Sequence, residues 1–501
     1  MAHPSVPPAP LLPPGFRFGV ATSAFQTEGG LNGPGEPAND WFDWERSGRV
    51  EPSGSAVSFW DRYEEHLDRA VAAGCDAFRL SVEWARCEPT EGVFEEAAFA
   101  RYRAILDACA DRGLRPTVCL HHFTHPRWLG PHFWLGLDSP ARFATWVGAA
   151  VDRLGDRCRR WLTLNEVNGY AVQAYVLGTL PPGRLLAHGD LVRSLDHLLT
   201  GHVLAYEEIH RRQPDAVVST DNHASSLYEL DRMLLDVVLA RSDGVRRADL
   251  RDWLGGRRTD QNAALGGARR RADAMIRRFT ASILPLDQAL PRTVAAVYDG
   301  PSRRPLDVVS VNYYDPVAAD HLRPPGHRTA GGRTWAPVGR QWDMAVHPEG
   351  LVGYLRLNVH PGLDIEVSEN GLCNRVRRGR AWPRGDGWDR PRALAAHLRA
   401  LVAARQEGIP VTAYFHWTLA DCYEWGSYEP RFGLYGVDRE RGGRWSDLDS
   451  MGRDSAGAYR RLADGLRAGD RSVLTDAASA SVSAWDRAAA TATTGRAASP
   501  S

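Results

Sequence analysis

Eight short apolar runs, rich in β-branched and aromatic residues, recur along this chain, and each runs out into polar side chains. They occupy 16–21, 77–81, 117–121, 161–166, 216–221, 308–313, 365–369 and 411–417. Between them, apolar positions at helical spacing predict helices over 59–73, 99–112, 140–154, 192–212 and 390–406. Strands alternating with helices imply parallel βαβ units, and near-continuous apolar strands imply a sheet covered on both faces. Eight such units are the count for an α/β chain closed into a single (β/α)8 TIM barrel with long strand-to-helix loops, spanning 16–470. An open sheet would gather its polar groups at one switch point. Here they stand at strand end after strand end: Arg79 and Ser81, His121 and His122, Asn165 and Glu166, Asp221 and Asn222, Asn312 and Tyr314, Glu369 and Asn370, His416 and Trp417. In a barrel that rim is the active-site face.

The flanks read differently. Residues 1–15 form a proline-rich, flexible N-terminus, without the basic start and apolar stretch of a signal peptide. Residues 471–501 are rich in Ala, Ser and Thr and read as a low-complexity, disordered tail. Residues 241–278 carry eleven Arg against five Asp. A mixed-charge stretch of this kind reads as solvated helices on an excursion from the barrel rather than as a phosphate or nucleic-acid patch.

Composition removes several reaction classes. The 61 basic and 61 acidic side chains cancel, and no lysine is present, so every cation is arginine. Schiff-base lysine chemistry, a P-loop and a Ser–Lys pair are excluded. Zero net charge argues against nucleic acid as a partner, and no run approaches 18 apolar residues, so no membrane span is expected. The seven cysteines are odd in number and never spaced CxxC, which points to buried thiols in a reducing cytoplasm rather than a disulfide or zinc framework. His121, His122 and His125 form an HHxxH cluster without HExxH spacing, so neither a metal nor a cofactor is expected.

Two carboxylates carry the chemistry. Glu166 and Glu369 end the fourth and seventh of the eight runs, which sets them across the barrel mouth from each other. Glycoside cleavage needs such a pair: one protonates the leaving oxygen while the other attacks the anomeric carbon or activates water. A single strand-end glutamate reads more simply as a cap or ion-pair partner. Two of them, each beside an asparagine, point to the reaction.

The motifs around them, in order from about residue 16 to 438, resemble glycoside hydrolase family 1, the β-glucosidase and β-galactosidase group. Gln26, Thr27, Glu28 and Gly29 are similar to its QxEG motif, and Phe78 to Arg86 to its RFSxxWxR strand. Leu120, His121, His122, Phe123 and Pro126 resemble LxHWxxP; Thr163, Leu164, Asn165 and Glu166 match TxNE; Asn312, Tyr313 and Tyr314 match the NYY strand. Ser368, Glu369, Asn370 and Gly371 look like the nucleophile motif. Trp417, Asp421, Glu424 and Trp425, followed by Arg431 to Leu434, are similar to the WSLxDNxEW and RFGL ending.

The resemblance implies a retaining β-glycosidase working by double displacement, with Glu369 as nucleophile and Glu166 as acid/base. Arg79, Tyr314 and Asn312 would support the nucleophile, and Gln26, His122, Asn165, Trp417, Glu424 and Trp425 would grip the terminal sugar. A cation and a phenol beside Glu369 are expected to keep it ionised, while Glu166, with no cation in its motif, is expected to have a raised pKa. Departures are Val167, Phe123, Cys422, the 132–134 segment and the region 221–290, the last of which helps build the aglycone side, so that acceptor and leaving-group preference stay open. They motivate an alternative, a transglycosidase passing the sugar to an alcohol. A catalytically silent sugar-binding barrel is the third reading, disfavoured by the presence of both glutamates. With no lysine to hold a phosphate, an unphosphorylated β-glucoside or β-galactoside is the expected small-molecule partner. Oligomeric state is not written in these features.

Overall fold

The computed structural model describes residues 11–225, 227–264, 289–314, 341–344, 346–439 and 443–475. Its main sheet is wholly parallel, built from β1 (Arg17–Ala21), β2 (Ala77–Ser81), β3 (Arg115–Cys119), β4 (Arg160–Leu162), β5 (Val217–Ser219), β6 (Asp221–His223), β7 (Val308–Asn312), β8 (Asp364–Asn370) and β9 (Val411–Trp417). The order is β5-β4-β3-β2-β1-β9-β8-β7-β6. Because β5 and β6 are two pieces of one strand, broken at Thr220, the ends of that order meet. The nine segments therefore make eight barrel strands.

Five of the helices between them match the sequence expectation to within four residues, and others, such as 167–175, were not marked by it. The helices include α1 (Phe59–Ala72), α2 (Glu96–Asp111), α3 (Ser139–Leu154), α4 (Val167–Tyr175), α5 (His188–Arg212), α6 (Leu250–Ala264) and α7 (Arg390–Gln406). Strand residues are buried on both faces, as a barrel wrapped by helices requires. Of the arginine-rich segment, the described part holds α6 and a set of ion pairs, Arg246 with Asp249, Arg257 with Asp236 and Arg258 with Glu229. The mixed charge is paired as expected, but Asp236 and Glu229 are buried, so two of these pairs are not the solvated ones expected. Residues 1–10, 265–278 and 476–501 of the flank and excursion readings lie outside the described residues. Leu474, within the expected tail, is buried.

Two local departures aim the site. The fourth run leaves regular pairing after Leu162, and Glu166 sits at φ +41° before α4 begins. In β8, the pairing register slips against both neighbours, between Val311 and Asn312 on one side and between Tyr414 and His416 on the other. Such a bulge re-aims side chains, and consecutive residues Ser368 and Glu369 both reach the polar network inside the barrel. Gly371 follows directly. A Cβ there would stand 2.3 Å from the Trp417 carbonyl oxygen, so the turn out of β8 has room for glycine alone.

Below the rim, the barrel interior is charged. Glu366 accepts from both Arg17 and Arg160, reaching across from β8 to β1 and β4.

Candidate active site

Arg79, almost fully buried, organises the floor. Its Nη1 donates to Glu369 Oε1 at 2.6 Å and to the Ser368 carbonyl at 3.1 Å. Its Nη2 donates to Asn165 Oδ1 and lies 3.5 Å from Asp221 Oδ2. Tyr314 donates its hydroxyl to Glu369 Oε2 at 2.9 Å, so both oxygens of Glu369 are held. These neighbours are the ones the motifs imply. Asn312 behaves differently from the expectation: its amide donates to Glu166 Oε1 at 3.1 Å and Asn165 Oδ1 at 3.2 Å. Its side-chain oxygen accepts from the Ser368 hydroxyl at 2.7 Å, and its backbone pairs with Glu369 between β7 and β8.

Glu166 has a partner that the motifs did not disclose. His223 Nδ1 lies 3.0 Å from Glu166 Oε1, and the backbone N–H of Glu166 donates to Asp221 Oδ1 at 2.6 Å. The fifth run, cut at Asp221 in the sequence, continues as β6 after the break at Thr220. The signal was the Asp221, Asn222, His223 triplet itself, lying just past the apolar residues.

Glu369, Glu166 and His223 share their protons as one group. Burial, with Glu166 and Asp221 negative nearby, works to raise the pKa of Glu369, while Arg79 works to lower it. Burial also works to raise Glu166, but the charge and hydrogen bond of His223 hold it below the ordinary carboxylate value. His223 is correspondingly raised: burial opposes its charge and Glu166 more than offsets that. An imidazole supplied through space replaces the cation missing from the motif.

The sugar-grip candidates gather at the other end. Glu424 accepts from Gln26 at 3.1 Å and from the Trp417 indole at 2.9 Å, with Cys422 at 3.3 Å. Burial lifts it to about 7. His122 stacks on Trp417 and Trp425, with centroids 5.7 and 5.8 Å apart. Burial and Arg79 keep it neutral, and its Nε2 accepts from Asn165 at 3.3 Å. Its proton then sits on Nδ1, which has no hydrogen-bond partner among the described residues. Phe123, Glu166 and Trp425 all line the cleft with φ between +41° and +68°, the kind of backbone strain that gathers at functional sites.

Glu166, Glu369, His223, Tyr314, Asn165, His122, Trp417, Glu424 and Trp425 share one cleft of about 520 Å³, while Arg79, Gln26, Asn312, Asp221, Ser368 and Cys422 stand behind its lining. The three histidines of the HHxxH cluster diverge. His121 accepts from Trp134 and His125 bonds the Gly130 carbonyl. Among the described residues no group of three His, Cys, Asp or Glu side chains is placed to hold a metal, and no helix is long and apolar enough to cross a membrane. All seven cysteines are buried, free thiols.

Comparison with known proteins gives a consistent picture. The sequence pattern of glycosyl hydrolase family 1 matches residues 9–465. A bifunctional β-D-glucosidase/β-D-fucosidase of Bifidobacterium breve is 28% identical, covering 90% of this chain and 98% of that one. A 6-phospho-β-galactosidase of Lacticaseibacillus rhamnosus is also 28% identical, over 85% of this chain and 94% of its own. Among solved structures, a β-glucosidase from Thermotoga maritima superimposes with a TM-score of 0.69 at 22% identity, over 91% of this chain and 99% of that one. That last likeness speaks to the barrel alone.

Proposed function

The chain belongs to glycosyl hydrolase family 1 and is a β-glycosidase of that retaining family, and from this we propose that it cleaves an unphosphorylated β-glucoside or β-galactoside by double displacement between Glu369 and Glu166. The observation that carries the reading is the two-handed hold on Glu369, by Arg79 and Tyr314, in the cleft that Glu166 also lines. Glu369 attacks the anomeric carbon as Glu166 gives its proton to the departing oxygen, leaving a glycosyl ester. Glu166 then takes a proton from water, which attacks the same carbon and frees Glu369. Positive charge growing on the sugar ring favours an ionised Glu369 and leaves the shared proton for Glu166 and His223.

For the sugar itself, Glu424 supports a neutral glycon. It is a buried carboxylate at the gripping end, held by an amide, an indole and a thiol. A phosphorylated sugar would bring its own negative charge against it. The relatives include both kinds, so substrate choice is decided at the bench. Labelling with a 2-deoxy-2-fluoro glycoside and peptide mapping should place the adduct on Glu369; an adduct elsewhere overturns the assignment. A nitrophenyl panel that includes 6-phospho sugars should show the phosphorylated ones turned over poorly.

A second reading, transfer to an alcohol, is favoured by the apolar Val172, Leu177, Leu227 and Leu230 that line the same cleft. Product partition with added alcohols tests it, and hydrolysis alone across a broad panel removes it.

A further inference from the structure

After β8 the chain forms an antiparallel hairpin, Asn374–Arg377 against Arg380–Trp382, which leads into Arg384. The side chain of Arg384 is buried, and all five of its N–H groups are used. Nε and one N–H of Nη2 meet Asp386, at 3.1 Å to Oδ1 and 2.7 Å to Oδ2, a bidentate pair that sets the plane of the guanidinium. The other three hold main-chain carbonyls. Nη1 donates to Cys373 at 3.0 Å and to Trp342 at 3.2 Å, and Nη2 donates to Met344.

Two of those carbonyls belong to a short segment, 341–344, whose Gln341, Trp342 and Met344 line the cleft that holds Glu369 and Glu166. The third, Cys373, lies four residues beyond Glu369. The guanidinium thus fastens the segment to the exit of β8, the strand that carries Glu369. The segment's own main chain is a weaker hold: one 3-10 turn, Gln341–Asp343, with the Met344 N–H 3.4 Å from the Gln341 carbonyl, longer than a good hydrogen bond. The Trp342 ring is held separately. The Arg375 guanidinium lies over it, 4.6 Å from the ring centroid, and is itself paired with Glu429 at 2.8 Å. Binding three carbonyls from two stretches of chain takes the planar, five-donor fork of arginine. A lysine ammonium, a point charge with three donors, does not reach them all.

We propose that Arg384 is a positioning residue for substrate binding, acting through Trp342, which it holds in place in the cleft lining with Arg375 over the ring. The proposal rests on the glycosidase reading of the cleft. Arg384 stands outside the lining and bonds neither Glu369 nor Glu166. Its loss therefore weakens binding of the glycoside and spares the bond-breaking step. A structural role alone predicts something else: fewer folded molecules, with unaltered affinity in those that remain.

The probe is the dinitrophenyl 2-deoxy-2-fluoro β-glycoside of the sugar that the wild type cleaves best. Its reaction with the enzyme is slow and stops after the first step, so Ki reads binding and ki reads bond breaking. Arg384→Met should raise Ki by about tenfold, while ki and the fraction of enzyme labelled stay within about twofold. Arg384→Lys should lose most of the same affinity, since it keeps the charge and not the fork. Trp342→Ala should raise Ki by about tenfold, and adding Arg384→Met to it should change Ki by less than about twofold, because the two act through one ring. An unchanged Ki, a loss confined to ki or to the labelled fraction, full recovery with lysine, or effects that multiply in the double variant overturns the inference and leaves the glycosidase reading intact. Failure of the wild type to cleave any activated β-glycoside overturns the glycosidase reading instead. If Arg384→Met does not fold, Arg384→Lys and Arg375→Met, each alone and combined with Trp342→Ala, decide between the same outcomes.

Discussion

His223 Nδ1 stands 3.0 Å from Glu166 Oε1, and the same imidazole stacks on the ring of Tyr314, with centroids 5.6 Å apart and planes at 13°. Tyr314 in turn donates to Glu369. One ring therefore touches the environments of both carboxylates. Four charged groups act on it or on its partner: Glu166, Glu369 and Asp231 favour the imidazolium, and Arg79 favours the ionised form of Glu166. Proton occupancy in this site belongs to the imidazole and both carboxylates together rather than to one glutamate.

That arrangement predicts a pH effect with a definite sign. His223 lowers the pKa of Glu166 by favouring its charged form, and the basic limb of kcat/KM reports loss of the proton the leaving group needs. His223→Asn removes the cation and keeps a polar side chain. The basic limb for an alkyl glycoside should then move upward by about one pH unit. A limb that stays or moves down means the imidazole does not hold Glu166.

The two glutamates should part company on leaving group. Glu166→Ala should slow an alkyl glycoside by about 10²- to 10⁴-fold, yet release dinitrophenolate, which needs no proton, at nearly the wild-type first-step rate. Glu369→Ala should lose both substrates. Steady-state rates paired with the burst of dinitrophenolate separate these outcomes. Equal losses for both substrates in Glu166→Ala would remove its role as acid.

Gly169 tests positioning. A Cβ at this place on α4 would fall 2.5 Å from Glu166 Oε2, so the carboxylate has to move aside. Replacing a helical glycine with alanine otherwise favours the helix by about 0.5–1 kcal/mol. Gly169→Ala should therefore hold or raise the thermal midpoint while lowering kcat by about 100-fold, the cost of misplacing a reacting group by about an ångström. A drop in stability alongside activity would mean that α4, rather than Glu166, gives way.

What the sequence disclosed and what it hid divide along physical lines. The strands were legible because a barrel buries both faces, leaving runs such as 308–313 and 411–417 with no polar face to blur them. Glu166 and Glu369 were legible because two carboxylates on opposite strand ends have few structural uses. His223 was not, because a single break at Thr220 carries the strand three residues past its apolar stretch. The partner of Asn312 depended on the bulge in β8, which no local pattern marks. The sharing of a proton between the two glutamates was hidden from the motifs, because Asp221 and His223 act on the pair through space.

Below the site, Glu366 ties Arg17 and Arg160 together inside the barrel. Burial alone would raise its pKa, and the two guanidiniums more than offset that, holding it below the ordinary carboxylate value. A folded-state pKa below the unfolded one means this carboxylate contributes stability above the unfolded value, roughly pH 4.3, and that the contribution is lost as pH falls through the folded one. Glu366→Gln leaves the buried Arg17 and the half-buried Arg160 with a neutral partner, which should cost about 3 kcal/mol near neutral pH. The gap between wild type and variant, read from urea midpoints, should narrow as the pH is lowered below about 4.3 toward 3. A gap that keeps its size would mean that the NH2 donor placed against Arg17 and Arg160, and not the lost charge, accounts for the cost.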